Sequence, residues 1–244
     1  MSRGPLDRRF RATSPSGRLS PLKLAGTALY IAAWPTLLFV IAGDGRWLEG
    51  WLFTAWYAGL CTTVIVWLYR KDPALLAERY RQPGSGGQKG GDRVMVYAIV
   101  AGFTAWIGVM PLDARRFGWT PSFPLAVQGV GWALLLTSAF LLFRSFHDNT
   151  FLSPLVRVQT ERKQRVVSTG VYGFVRHPMY FGAILMFVGT PLLLGSLVGL
   201  GVAAGMILLL AIRIVAEERV LVAELEGYSE YRKKVRYRLL PFLW

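Results

Sequence analysis

Charge is scarce in this 244-residue chain. Asp, Glu, Lys and Arg make up 17% of it, against about 25% in an ordinary soluble domain. Acid is the scarcer sign: 14 Asp and Glu face 28 Lys and Arg, leaving a net +14. Only one cysteine is present, Cys61, and it lies inside an apolar run. An intramolecular disulfide is therefore excluded. Two histidines, His147 and His177, with no cysteine cluster leave too little material for a zinc site, and no metal is expected. What is abundant is apolar surface, 53% of residues with 14% aromatic, at a mean hydropathy of +0.39. Such a composition excludes a soluble globular enzyme, and excludes disorder over most of the chain.

Runs of about 20 apolar residues, long enough to cross a bilayer as helices, recur five times. They cover Leu22–Gly43, Leu48–Tyr69, Val94–Leu112, Pro124–Phe143 and Tyr180–Val215. Pro35 should kink the first. The last is too long for one span and barely enough for two. Gly189-Thr190-Pro191 and Gly195-Ser196 punctuate it, so it reads as a hairpin of two helices. The expected fold is all-α: a polytopic integral membrane protein with four transmembrane helices, a helical hairpin and a cytoplasmic C-terminal segment. Its divisions are a basic mobile tail over 1–21, a four-span scaffold over 22–143 and a core over 144–244.

The positive balance would suggest nucleic acid in a soluble protein. In a membrane protein, basic residues gather in cytoplasmic loops, so membrane lipids and not nucleic acid are the expected partners. The tail through Lys23 holds six basic residues and one acid, Arg70–Arg93 six and three, and Arg144–Arg176 six and two. The intervening links Asp44–Trp47 and Asp113–Phe123 hold one and two basic residues. This alternation places both termini in the cytoplasm, of a bacterial inner membrane. The first run has the wrong flanks for a cleaved signal peptide. The glycine-rich 83–91 segment follows no strand and lacks the Gly-Lys-Ser/Thr ending of a phosphate loop, so it reads as a flexible linker.

Polar residues concentrate on either side of the hairpin. In Arg176-His-Pro-Met-Tyr180 the proline suits the first turn of a helix. The free N–H groups of that turn, with His177 and Tyr180, could hold an anion or carboxylate; the plainer alternative is an Arg-His anchor at the lipid headgroups. In Arg213-Ile-Val-Ala-Glu217-Glu218, Arg213 and Glu217 share one helix face, and Glu218 points about 100° away. Here the plainer alternative is a simple i,i+4 ion pair. Closing the hairpin brings Arg213 and Glu217 back towards His177 and Tyr180. Beyond them, the alternation of aromatic and basic residues over 226–241 reads as an interfacial helix, with Tyr228 and Tyr231 packed beneath the site.

These elements, in this order, resemble the isoprenylcysteine carboxyl methyltransferase family, one of a group of membrane methyltransferases that includes the phospholipid methyltransferases. The match rests on Gln159, Gln164 to Tyr172, Arg176 to Tyr180, Arg213 with Glu217-Glu218, and Tyr228 to Tyr231, about the last 90 residues. The resemblance implies an enzyme that binds S-adenosylmethionine without a Rossmann fold. Gln159, Gln164, Arg165, Val166, Val167, Tyr172, His177, Pro178, Met179, Tyr180 and Glu217 would bind the cofactor. Arg213 would be catalytic, holding the acceptor carboxylate. The acceptor would be a lipophilic or lipidated molecule entering from the bilayer, above all an isoprenylcysteine-type carboxylate. A carboxylate is already ionised near pH 7, so the absence of a Ser-His-Asp or Cys-His constellation is no objection. Phospholipid, amine or thiol methylation on the same scaffold is the neighbouring alternative. An NADPH-dependent sterol-type reductase, which shares an Arg-His-x-x-Tyr element, is the distant one.

Overall fold

A computed structural model describes residues 20–241 and 243–244; most of the tail expected over 1–21 lies outside them. Eight α-helices follow one another: α1 Pro21–Ala42, α2 Leu48–Lys71, α3 Pro73–Arg79, α4 Gly90–Pro111, α5 Leu125–Asp148, α6 Pro178–Leu194, α7 Leu197–Glu224 and α8 Tyr228–Lys234. A single π-helical turn, Leu112–Arg116, extends α4. Five helices, α1, α2, α4, α5 and α7, are long and apolar enough to cross a membrane, and no strand occurs among the described residues. The chain is an integral membrane protein of all-α class.

The fifth apolar run folds as the expected hairpin. Helix α6 has 17 residues, roughly 25 Å at 1.5 Å per residue, which falls short of the ~30 Å hydrocarbon core. Helix α7 has 28. Gly195 closes α6 in the left-handed region at φ 80°, a conformation that suits glycine. Ser196 Oγ then caps α7 by accepting from Gly199 N at 2.8 Å. Asp113 in the π-turn ties this tip to the scaffold: it is fully buried, and its Oδ2 accepts from Ser196 Oγ at 2.6 Å and Thr120 Oγ1 at 2.7 Å.

The tightest crossing is α5 against α6. Gly131 and Gly189 allow it, because a Cβ on Gly131 would stand 2.5 Å from Leu193 N and 2.7 Å from Gly189 O. Ser138 Oγ also donates to Gly182 O at 2.7 Å. The shared core collects Leu38, Trp47, Trp106, Met110, Leu135, Phe187, Met206 and Ile214 from α1, α4, α5, α6 and α7 and from the residue that precedes α2.

At the opposite end from the hairpin tip, four chain segments meet. Arg157, in the segment after α5, pairs with Glu78 of α3 at 2.8 Å, and Lys89 pairs with Glu224 of α7 at 2.5 Å. The 83–91 segment is not the free linker expected. Arg157 Nη1 donates to Gly86 O at 3.2 Å, and Gln88 Nε2 to Asp92 Oδ2 at 2.6 Å, so the segment is clamped by a residue 71 positions later.

Candidate functional site

The segment between α5 and α6 has almost no regular structure, and polar side chains hold it in place. Arg157 is its main strut: it is buried, bidentate to Glu78 at 3.0 and 2.8 Å, and bonded to Glu161 at 2.6 Å. Burial opposes ionisation of Glu78, but the hydrogen bonds from Arg157, Ser153 and Arg81 outweigh it and hold that carboxyl below its ordinary value. Gln159 is fully buried and inward-facing. Its Nε2 donates to Phe151 O at 2.6 Å, its Oε1 accepts from Arg162, and its backbone N–H donates to Gln164 Oε1 at 2.7 Å. Gln159 thus shapes the segment from within.

A short 3-10 turn over Gly170–Gly173 then presents Tyr172. Asp148 Oδ2, at the end of α5, accepts from Val171 N at 3.0 Å and fixes that turn. Tyr172 is buried, and its backbone carbonyl accepts from the Tyr231 hydroxyl of α8 at 2.7 Å. Burial raises the phenols of Tyr172, Tyr228 and Tyr231 above their ordinary values, so all three are neutral at physiological pH.

Pro178 begins α6, as its missing N–H predicts. The residues before it are pinned to the C-terminal segment: Arg176 N donates to Tyr237 O at 3.0 Å and His177 N to Arg238 O at 2.8 Å. Beneath them lies Glu218, buried and paired with Arg176 Nε at 2.6 Å and Arg238 Nε at 2.8 Å. His177 Nε2 is 3.3 Å from the same carboxylate. The Arg176 guanidinium also donates to the carbonyls of Val235 and Arg236 at 2.7 and 2.6 Å. These carbonyls lie just past the end of α8, which stops at Lys234 after seven residues, well short of the helix expected over 226–241.

About 100° of helical phase separates Glu218 from Glu217, and the two carboxylates face different neighbours. Glu217 Oε2 accepts from the Tyr180 hydroxyl at 2.7 Å. The simple i,i+4 pair between Arg213 and Glu217 does not form. Instead Arg213 donates through Nε to Asp92 Oδ1 of α4 at 3.1 Å and through Nη2 to Pro154 O at 2.6 Å. Two of its five N–H groups are so engaged, and Nη1 has no hydrogen-bond partner among the described residues.

These elements enclose a cavity walled by Gln164, Arg165, Val166, Val167, Tyr172, His177, Met179, Tyr180 and Glu217, nine of the residues expected from the motifs. Gln159, Pro178 and Arg213 stand behind this wall. Asn149, Phe151, Leu221, Leu225 and Tyr228 are among its other lining residues; of these five only Tyr228 carried a sequence signal, as part of the family resemblance and as a residue expected beneath the site. Asp92 was equally hidden, because only the packing of α4 on α7 brings it to Arg213. Among the described residues no cluster of His, Cys, Asp and Glu could hold a metal ion. The cavity is narrow, about 90 Å³.

Comparison with known proteins agrees with this arrangement. Residues 127–227 match the phospholipid methyltransferase family. A methanethiol S-methyltransferase of Crocosphaera subtropica is 32% identical over 119 residues, 47% of this chain and 44% of that protein. A protein-S-isoprenylcysteine O-methyltransferase of Schizosaccharomyces pombe is 35% identical over 86 residues, 34% of this chain and 36% of that one. Its counterpart B in Arabidopsis thaliana is 30% identical over 80 residues, 33% and 38% of the two chains. The matches thus span less than half the length of these curated relatives. In fold, the chain is similar to the eukaryotic intramembrane Ras methyltransferase ICMT, with a TM-score of 0.52 at 17% identity, over 90% of this chain and 76% of that one. The motif resemblance is therefore matched by both comparisons: the segment from α5 to the end of α7 carries the phospholipid methyltransferase family pattern, on a helical framework like that of the isoprenylcysteine carboxyl methyltransferase.

Proposed function

We propose that the protein is an S-adenosylmethionine-dependent methyltransferase acting on a lipophilic carboxylate that reaches the site from the bilayer. The observation that carries this reading is the Tyr180–Glu217 hydrogen bond in the cavity wall. It unites the two motifs flanking the hairpin and sets a carboxylate where a cationic or hydroxyl group of a cofactor can meet it.

The donor set fits that cofactor. Glu217 has one oxygen on Tyr180 and a second for an ammonium or ribose hydroxyl. No side chain caps α6, so its first N–H groups suit a carboxylate. The apolar and aromatic surfaces of Val166, Tyr172 and Leu225 suit a purine. Room is the one mismatch, since ligand clefts run to ~300–1,000 Å³. Binding therefore has to spread the 149–167 segment away from α7, and that segment is held by side chains, not by helix or sheet ladders.

When bound, S-adenosylmethionine supplies a sulfonium-activated methyl group: an acceptor oxygen lone pair forms the new O–CH3 bond, the S–CH3 pair returns to sulfur, and no proton moves. The chain's own part is orientation and exclusion of water. Glu217 and Tyr180 fix the cofactor end. Arg213, held by Asp92 and Pro154 just behind the cavity wall, keeps Nη1 as a single charged donor for the acceptor carboxylate once that wall opens. Phe151, Leu155 and Leu221 keep the cavity dry. A thiol acceptor is the second reading, favoured by the similarity to a methanethiol S-methyltransferase. It would need a thiolate, whose fraction at neutral pH is small for an ordinary thiol.

Equilibrium binding of S-adenosylmethionine to the detergent-purified protein tests the reading, with NADPH and Glu217→Gln as controls. Saturable binding that falls at least about tenfold in Glu217→Gln is expected, as for loss of a hydrogen bond to a charged group. Binding of NADPH in its place would move the protein to the reductases.

A further inference from the structure

Helix α8 stands between two concavities of opposite character. Its Tyr228 and Tyr231 line the narrow cavity of about 90 Å³. Ser229, Arg232 and Lys233, on its other face, open with Arg176, Arg236 and Arg238 onto a cleft of about 520 Å³. Five cationic side chains and one hydroxyl thus line this cleft, and among the described residues no carboxylate does. Arg176 is buried and lines both concavities, so it is the partition between them.

The carboxylates bonded to this group do not balance it. Glu218 is shared by Arg176 and Arg238 through their Nε atoms at 2.6 and 2.8 Å, with His177 at 3.3 Å. Glu230 pairs with Lys233 at 2.7 Å, but both side chains stand largely in water, where such a pair counts for little. Arg232 and Arg236 are exposed, and among the described residues neither side chain has a hydrogen-bond or ion-pair partner. Arg176 engages Nε and Nη1 and leaves Nη2 without a partner among the described residues. Like charges gathered in one concavity focus a positive potential there, and an anion relieves their repulsion.

The rim of the cleft selects the kind of anion. Leu240, Leu243 and Trp244 are exposed beside Arg238, whose guanidinium carbon is 5.1 Å from the centre of the Trp244 ring. A basic cleft with an apolar, tryptophan-bearing edge, on a chain that spans a membrane, suits a molecule with a phosphate at one end and acyl esters at the other. We propose that the cleft is a headgroup site for an anionic phospholipid. Arg232, Arg236 and Nη2 of Arg176 take the phosphodiester oxygens, Ser229 bonds the headgroup, and the Trp244 edge meets the ester ends of the chains. A bias of basic loops towards one side of a membrane needs neither a cleft nor a buried arginine, and this site has both. A bound headgroup also neutralises the outer edge of Arg176, the residue that ties α6 to α7 through Glu218. The site is separate from the methyltransferase reading and stands if that reading fails.

Lipid titration of the purified full chain in a neutral detergent tests this, with native mass spectrometry counting the lipids bound. Phosphatidylglycerol is expected to bind about tenfold more tightly than phosphatidylcholine. The double variant Arg232→Gln, Arg236→Gln should lose most of that preference, since one basic residue at an anionic surface is worth about fivefold. Its phosphatidylcholine binding should not change, and it should melt near wild type because both side chains are exposed and unpaired among the described residues. The control Arg70→Gln, Lys71→Gln removes equal charge from the last turn of α2 and should keep the preference. Phosphatidylglycerol should also raise the thermal midpoint of the wild type more than that of the Arg232→Gln, Arg236→Gln variant. An undiminished preference in that variant would overturn the proposal. So would an equal loss in the α2 control, which would make the attraction a diffuse one. Displacement of phosphatidylglycerol by glycerol phosphate at a similar concentration would make the cleft a site for soluble phosphates. Displacement by polyglutamate would make it a surface for an acidic protein, and either result would overturn the lipid assignment.

Discussion

Arg176 and Glu218, 42 positions apart in sequence, meet at 2.6 Å in the interior, and that contact fastens the start of α6 to α7. Among the described residues, Glu217 beside it hydrogen-bonds Tyr180 alone. Two adjacent glutamates therefore divide the work, one holding the architecture and the other lining the cavity. Removing the Glu218 charge leaves Arg176 buried without its counter-charge, which costs about 3–5 kcal/mol. Glu218→Gln is expected to lower the thermal midpoint in detergent strongly, whereas Glu217→Gln should melt near wild type and lose cofactor binding. Melts of the two variants side by side check this, and equal destabilisation would contradict the division.

The division also shows what the sequence could carry. Glu217 and Tyr180 were legible because helical phase and the closing hairpin leave few other places for them. Five apolar runs gave five helix-forming regions, and Gly195-Ser196 gave the hairpin turn, since both depend on local chemistry. Arg213 was visible as a functional arginine, but Asp92 was not. Their contact depends on how α4 packs on α7, and no periodicity encodes that. The 83–91 segment shows the converse, a flexible composition pinned by the distant Arg157.

The α5–α6 crossing makes a second prediction. A methyl group on Gly131 would meet backbone atoms of α6 at 2.5 and 2.7 Å, and backbone cannot rotate aside as a side chain can. Gly131→Ala should destabilise by about 1–3 kcal/mol through overpacking. Gly129→Ala, two residues away with nothing within 4 Å of the added Cβ, should be neutral or slightly stabilising, because alanine is the better helix former. Matched melting curves in one detergent would separate the two, and a similar loss in both would argue against the close crossing.

Acid stability gives the third. Glu78 is held below its ordinary value of 4.5 in the folded protein, against the effect of burial, by Arg157, Ser153 and Arg81. A depressed folded-state value means the folded protein favours the carboxylate. The associated stability is complete above the unfolded-state value and is lost as pH falls through the folded one. The melting temperature should therefore drop below about pH 4.5, where the unfolded carboxyl begins to take up its proton first. Glu78→Gln should start lower at neutral pH and show a shallower acid decline. Melts at intervals from pH 7 to 3.5 decide it, and parallel curves would mean that other carboxylates govern the acid transition.

Gly170 links backbone geometry to binding most directly. Its φ of +59° lies in the left-handed region, and a Cβ there would come within 2.0 Å of Asp148 Oδ2. That oxygen also accepts from Val171 N and from Arg144 at 3.0 Å, so it cannot retreat without releasing the turn that presents Tyr172. Gly170→Ala carries both penalties, the strained φ and the displaced carboxylate. Because the turn lies outside the helical core, the loss should fall on the site more than on the fold. Cofactor affinity is expected to drop by about tenfold or more while the melting temperature moves by only a few degrees. Gly173→Ala is the control: φ there is not positive and the added Cβ would meet only Ser168 O at 3.3 Å, so its affinity should stay within a few-fold of wild type. If both variants bound S-adenosylmethionine equally well, the Tyr172 turn would have no part in the cofactor site.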